Sequence, residues 1–254
     1  MNITHLHVGQ GDCTVVTTPK GKTLLIDSGP EQSGKKVEDY LKYKGKTQVD
    51  LAIVSHPHED HIGGLLYLIE EGYNVKAVIW QVPDDLKDEY AFRLKKLCEK
   101  QKIPLYKGYR GNEVRIDDVC LQVLWPYKDA DYSNANEASL VCVLKYGEFE
   151  ELFTGDIGFA TEKYLENDLD DLEILKVPHH GSSYSSSSKF LEKLSVEYGM
   201  ISAGVRNLYG HPNRLTLERL KEQQIEIMRT DIQGALFVRT DGKQYTVQSQ
   251  IQEE

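Results

Sequence analysis

Cysteine is scarce in this chain, and what there is lies scattered. Cys13, Cys98, Cys120 and Cys142 are the four in 254 residues, and no two form a CxxC pair. That excludes a disulfide-built scaffold and a paired-cysteine zinc site, and it reads as reduced, buried thiols of a cytoplasmic protein. Basic charge is short as well. Lys and Arg number 30 against 40 Asp and Glu, a net charge of −10 at pH 7. Proteins that track along duplex DNA draw much of their affinity from neutralising phosphates, so this balance argues against long processive binding. The five lysines between Lys35 and Lys46, and the group Arg93, Lys95, Lys96, Lys100 and Lys102, read as solvated helix faces. No apolar run approaches the ~20 residues of a membrane span. No charged-then-apolar leader opens the chain, and the first strand is expected from Ile3. What the chain does have is 40% apolar residues, enough for a sizeable core.

Its most informative stretch is His56-Pro57-His58-Glu59-Asp60-His61-Ile62-Gly63-Gly64. The apolar run Leu51-Ala52-Ile53-Val54-Ser55 ahead of it reads as a buried strand, and Gly63-Gly64-Leu65-Leu66 behind it as the start of a helix. His56, His58, Asp60 and His61 therefore sit on a tight loop at a strand's C-terminal end. Imidazole with carboxylate suits Zn, Mn or Fe ions. One open catalytic ion usually takes three protein ligands, so four this close point to two ions. His56 and His58 are assigned to one, Asp60 and His61 to the other.

A second cluster lies downstream, in Phe153-Thr154-Gly155-Asp156 and Pro178-His179-His180-Gly181-Ser182. Each follows an apolar run, so these groups too belong at strand ends. Two carboxylates and at least three histidines so arranged suit a pair of ions, which supplies hydroxide near neutral pH and clamps attacking and leaving oxygens.

These residues resemble the metallo-β-lactamase superfamily: HxHxDH, then Gly-Asp, then a later His, with Asp27 ahead of them in Leu24-Leu25-Ile26-Asp27-Ser28-Gly29. More narrowly, four stretches resemble the metallo-β-lactamase domain of the ComEC family of competence DNA-uptake proteins. They are His7-Val8-Gly9-Gln10-Gly11-Asp12, Ser55 to Gly64, Lys176 to Ser182, and Asn207-Leu208-Tyr209-Gly210-His211-Pro212. The resemblance implies that Asp156 bridges both ions and that His179 completes the second, with His180 the alternative because strand alternation would turn it away. Asp27 and Asp12 would orient ligands from behind. His211 would be a general acid or phosphate-oxygen donor. One departure stands out. Lactamases and lactonases of this fold carry another His between the first loop and the Gly-Asp, yet none lies between His61 and His179. Ser133 to Val141 occupies that region, where Asn136 and Ser139 would bond a substrate oxygen or serve in a turn. Fewer nitrogen ligands leave a harder ion, which favours Mn²⁺ over Zn²⁺.

Strands are expected near 3–7, 14–18, 23–27, 51–55, 75–80, 119–125, 139–146, 150–154, 173–177, 197–202, 225–228, 234–239 and 244–248. Helices are expected near 34–43, 63–71, 87–101, 159–166, 187–195 and 214–223. Pro19-Lys20-Gly21-Lys22 and Asp241-Gly242 mark hairpins. Periodicity alone gives an α/β or α+β protein. The resemblance implies an αββα sandwich: two mixed β-sheets face to face, helices on the outer faces. Motifs running from residue 7 to residue 212 argue for a single domain over 1–254. Ser182 to Ser188 is the only low-complexity segment, expected as a flexible loop, or a lid, running into a helix N-cap.

The reading is a cytoplasmic two-metal hydrolase, with Zn or Mn, acting as a phosphodiesterase or nuclease on single-stranded or short DNA. The candidate metal ligands are His56, His58, Asp60, His61, Asp156 and His179. Asp60, His180, His211, Asn136 and Ser139 are the candidate catalytic residues. The rivals are hydrolysis of a small ester, a lactone or a cell-wall phosphodiester, and a non-catalytic module that binds nucleic acid or protein.

Overall fold

The computed structural model describes residues 1–82, 87–128, 132, 134–166, 169 and 172–251. Its first half runs β1 (Asn2–His5), β2 (Cys13–Thr17), β3 (Thr23–Ser28), α1 (Gly34–Tyr43), β4 (Gln48–Val49) and β5 (Leu51–Val54). It continues through α2 (Glu59–Glu70), β6 (Asn74–Val75), β7 (Val78–Trp80), α3 (Glu89–Gln101) and β8 (Leu105–Lys107). The second half runs β9 (Glu113–Ile116), β10 (Val119–Trp125), β11 (Val141–Tyr146), β12 (Phe149–Phe153), α4 (Phe159–Leu165) and β13 (Ile174–Lys176). It continues through α5 (Ser188–Leu194), β14 (Tyr198–Ile201), α6 (Arg214–Glu222) and β15 (Glu226–Arg229). After the short α7 (Thr230–Gln233), β16 (Leu236–Thr240) and β17 (Tyr245–Ser249) return to the first sheet.

That sheet has the order β17-β16-β1-β2-β3-β5-β7-β8, and the second β15-β14-β13-β12-β11-β10-β9. Both are mixed. Pairing is antiparallel from β17 to β3 and parallel from β3 to β8. In the second sheet it is parallel from β15 to β12 and antiparallel beyond. Alternation along each strand sends one set of side chains between the sheets. Ile3, Val16, Leu24 and Ile53 of the first sheet meet Leu121, Cys142, Leu144 and Phe153 of the second in one buried core. The opposite faces bury Leu41, Ile62, Leu66 and Leu94 of α1 to α3, and Phe190, Leu194 and Leu220 of α5 and α6. This is the αββα sandwich. Its consequence for function is that β3, β5, β12, β13 and β14 all end at one rim, where loops after parallel strands collect ligand-binding groups.

Several local expectations need correction. The 75–80 strand divides into β6 and β7, and the short β4, β8 and β9 went unanticipated. β9 does alternate, Glu113-Val114-Arg115-Ile116, but it is an edge strand whose charged side faces solvent. Helix α2 begins at Glu59, with His58 as its N-cap, four residues before Gly63. Gly63 and Gly64 are there for approach and do not start the helix. A Cβ on Gly64 would lie 2.0 Å from the Ser28 carbonyl oxygen, and one on Gly63 2.3 Å from the Glu31 nitrogen. Cys13, Cys98 and Cys142 are buried and, with the partly exposed Cys120, unbridged. No helix among the described residues is long and apolar enough to cross a membrane.

Candidate metal centre

The first cluster is held between a strand end and a helix start. β5 delivers Ser55 and His56, and Asp60 and His61 lie in the first turn of α2. His56 and His61 are fully buried, Asp60 is partly exposed, and His58 is open to solvent beside His56, ring centroids 4.6 Å apart. Asp27, at the end of β3 with φ +51°, fixes this group from behind. One carboxylate oxygen accepts from His61 Nδ1 at 2.8 Å and the Ser55 hydroxyl at 2.7 Å, the other from the Ser55 amide at 2.8 Å. Ser55 Oγ in turn lies 3.0 Å from His56 Nδ1. Both imidazoles are therefore engaged through Nδ1, which leaves each Nε2 pointing elsewhere.

The second sheet brings Asp156 after β12, and His179 and His180 after β13. Asp156 Oδ1 is 3.3 Å from His61 Nε2; its Oδ2 is 3.6 Å from His180 Nε2, 3.7 Å from His179 Nε2 and 4.0 Å from His56 Nε2. Ser139 Oγ accepts from the Asp156 amide at 3.2 Å, and Asn136 Oδ1 nearby in sequence is buried without a hydrogen-bond partner among the described residues. Ser133 lies outside the described residues. His180 is buried, 3.2 Å from Asp60 Oδ2 through Nε2 and 3.2 Å from Asp12 Oδ1 through Nδ1. His179 stands at the rim with 29% of its side chain exposed. Strand alternation does not govern this pair. Residues Pro178–Gly181 form a tight turn in which both histidines take the left-handed conformation, φ 51° and 53°. Non-glycine residues held in that region mark over-determined, functional backbone.

The electrostatics follow from carboxylates buried around imidazoles. Burial alone would lower the His61 pKa, yet Asp156, Asp27 and Asp60 raise it well above the ordinary value. His180 likewise resists burial and is pushed up to about 10 by Asp156 and Asp12. His56 goes the other way, lowered by burial and by His61. Burial would raise Asp156, but His180 and His61 hold it well below the carboxylate range. Asp60 is held at about 2 against burial by His61 and His180. His211 is pulled down to about 4 by burial and by its neighbours His180 and His179, with ring centroids 6.2 and 5.6 Å away.

The donor set fits divalent cations. His56 Nε2, His61 Nε2, Asp156 Oδ1 and Asp12 Oδ1 are all buried with no aligned hydrogen-bond partner among the described residues. Orphaned buried polar atoms are costly, and a cluster of them facing one another is resolved by a cation. Asp12, His61, Asp156 and His180 each offer an atom within 4.8 Å of the others, enough to hold an ion. Asp12, expected to orient ligands from behind, has a buried partner, Lys176, to which the sequence reading assigns no role. Asp12 comes from the loop before β2, and Lys176 from the end of β13, its Nζ 2.7 Å from Asp12 Oδ2 with both side chains buried. A lysine in an apolar run was the available signal.

The serine-rich stretch differs from expectation. Ser185 and Ser186 are buried, and the Arg219 guanidinium donates to the carbonyls of Ser183, Ser185 and Ser186. Glu162 accepts from the Ser186 and Ser187 amides, and Ser187 caps α5. The Ser185 hydroxyl also donates to the Pro178 carbonyl at 2.9 Å, so this anchored loop supports the second cluster.

The contrast between neighbouring histidines yields a prediction. His180→Ala is expected to lose about one equivalent of bound metal by elemental analysis, and His179→Ala to retain most of it. The reverse ranking would return the ligand role to His179.

The metallo-beta-lactamase superfamily profile matches residues 6–205 of the chain. ComE operon protein 3 of Bacillus subtilis (strain 168) is 30% identical over 257 residues, covering 92% of this chain and 32% of that protein. Recombination protein 2 of Haemophilus influenzae is 26% identical over 238 residues, covering 92% of this chain and 28% of that one. The chain thus spans about a third of the length of these relatives. Among solved structures, a diphosphatase of the PhnP family superposes with a TM-score of 0.54 at 14% identity, covering 95% of this chain and 98% of the other, a likeness of fold.

Proposed function

Since this chain belongs to the metallo-β-lactamase superfamily and is one of its metal-dependent hydrolases, we propose that its substrate is a phosphodiester, DNA that is single-stranded or short. The observation that carries this reading is a donor set short of one histidine. No histidine lies between His61 and His179, and Ser139 and Asn136 stand where the superfamily's lactamases have one. Asp12, Asp60 and Asp156 all lie within 3.6 Å of His180, so carboxylate oxygens make up part of the donors that remain. Oxygen donors favour harder ions such as Mn²⁺, which suit phosphate oxygens. Two further facts support it: one relative is named for recombination, a process on DNA, and a diphosphatase shares the fold.

In this reading His56, His58, Asp60, His61, Asp156 and His180 hold two divalent ions. When bound, the ions supply a deprotonated water near neutral pH and offset charge on the transferring phosphoryl group. The remaining work falls to the chain. Asp27 keeps His61 aligned, and Ser55 keeps His56. Ser139 holds the Asp156 loop. His211 donates to a phosphate oxygen from the rim, and Asn136 supplies a further polar contact. The first turn of α2, capped at His58, adds partial positive charge toward an anionic substrate. Because these groups are drawn from across the chain, we also propose that residues 1–254 form one hydrolase domain.

The test is a substrate panel: linear single-stranded DNA, duplex DNA, RNA, bis-p-nitrophenyl phosphate and a lactone, each with Mn²⁺ and with Zn²⁺. Phosphodiester cleavage faster than lactone opening, and faster with Mn²⁺, is the expected result. Efficient lactone opening with no cleavage of any phosphodiester would sink the proposal.

A further inference from the structure

Next to the metal centre, the loop joining β14 to α6 exposes apolar side chains that none of the described residues covers. Val205, Leu208 and Tyr209 are 62, 101 and 71% exposed, three large apolar groups within five residues. The loop is nonetheless built to hold one shape. The Asn207 side chain spans it, donating to the Gly204 carbonyl at 3.0 Å and to the His211 carbonyl, while its Oδ1 accepts from the His211 amide at 3.0 Å. Gln10, from the loop before β2, pins the base by accepting from the Gly204 amide at 3.1 Å. Tyr209 lies against His211 with rings inclined by 24° and centroids 5.9 Å apart. His211 then meets His179 and His180 at 5.6 and 6.2 Å. A row of rings thus leads from solvent to the metal centre, and its outermost member has an open face.

We propose that Tyr209 is a stacking platform for the nucleobase beside the scissile phosphate. The inference rests on the phosphodiester reading above and names how that substrate is held. Three arguments select a base as the occupant. The ring is two ring contacts from the metal centre, 5.9 Å to His211 and then 5.6 Å from His211 to His179. A rigid loop presents it at little entropic cost. And the chain's net charge of −10 leaves phosphate neutralisation a poor source of affinity, whereas stacking on an aromatic ring is sequence-tolerant and supplies ~1–3 kcal/mol per base, about 5- to 150-fold.

The test compares two strands with the same backbone charge: a ten-unit oligothymidylate, and a ten-unit strand of abasic tetrahydrofuran sites. Tyr209→Ala is expected to raise KM for oligothymidylate about tenfold, to change kcat by less than about twofold, and to leave the abasic strand unaffected. Tyr209→Phe should restore the wild-type KM. Metal content should be unchanged in both variants. Equal weakening on both strands, or none on oligothymidylate, would overturn the platform. Binding is measured in parallel by fluorescence anisotropy on metal-free protein. If wild type cleaves neither strand yet binds oligothymidylate in a Tyr209-dependent way, the hydrolytic reading fails and the platform stands. If binding is independent of Tyr209, the platform fails whatever the activity.

Discussion

Asp156→Ala is expected to reduce phosphodiester turnover on the order of 10³-fold or more, with the secondary structure intact. The expectation rests on position. Among the described residues Asp156 is the one carboxylate lying within 4.0 Å of His56, His61, His179 and His180, so it touches both clusters at once. It sits in the loop after β12, and its own backbone is held by Ser139, so truncating its side chain leaves the sheet pairing of β12 untouched. What is lost is the negative charge that four imidazoles share. At about 1.36 kcal/mol per tenfold, a 10³-fold loss asks for roughly 4 kcal/mol of barrier, within the reach of one misplaced metal ligand. Elemental analysis should show depletion of metal from the same sample. A variant that kept more than a tenth of wild-type kcat/KM with ordinary circular dichroism would remove Asp156 from the centre of the site.

The ligand-bearing loops were legible because chemistry and periodicity coincide there. An apolar run ending in His-x-His-x-Asp-His puts polar, ionisable groups at a strand end, whatever the rest of the chain does. The two hairpins at Gly21 and Gly242 were legible for a similar reason, since their turns need residues that tolerate positive φ. Other features depend on three-dimensional neighbours. Gly63 and Gly64 look like a helix start in one dimension, but the backbone of Ser28 and Glu31 presses on them. His179 and His180 follow a strand, and alternation would send one of them away. Their left-handed turn places both near Asp156, which no local pattern encodes. The seven residues from Ser182 to Ser188 have the composition of a flexible loop. Arg219 and Glu162, distant in sequence, supply the hydrogen bonds that hold it. Asp12 falls in a recognisable motif, whereas its partner Lys176 lies among Ile174, Leu175 and Val177, where a lone lysine in an apolar run marks burial but names no partner.

That partner gives the second large effect, on stability rather than rate. Lys176→Met is expected to destabilise the metal-free protein by about 3–5 kcal/mol. Lys176 is 2% exposed and its Nζ lies 2.7 Å from Asp12 Oδ2. The same ammonium donates to the Val177 carbonyl at 3.1 Å. Methionine matches the length and packing of the stem, so the cavity term is small and the change is chiefly electrostatic. It strands the Asp12 carboxylate in a buried pocket that already contains Asp156 and Asp27, with the His180 and His61 imidazoles left to offset it. Breaking one half of a buried pair costs far more than replacing both halves, because the remaining charge stays dehydrated. For a chain of this size each kcal/mol shifts Tm by roughly 2–4 °C, so the melting temperature should fall by about 10 °C. Asp12→Asn added to Lys176→Met should recover a large part of that loss, since the two sites share one interaction and their effects should not add. Metal-free protein is the right material, because a bound cation would mask the uncompensated carboxylate. A Tm within 2 °C of wild type for the single variant, or simple additivity in the double, would mean that Asp12 draws its compensation from the imidazoles alone and that Lys176 only fills space.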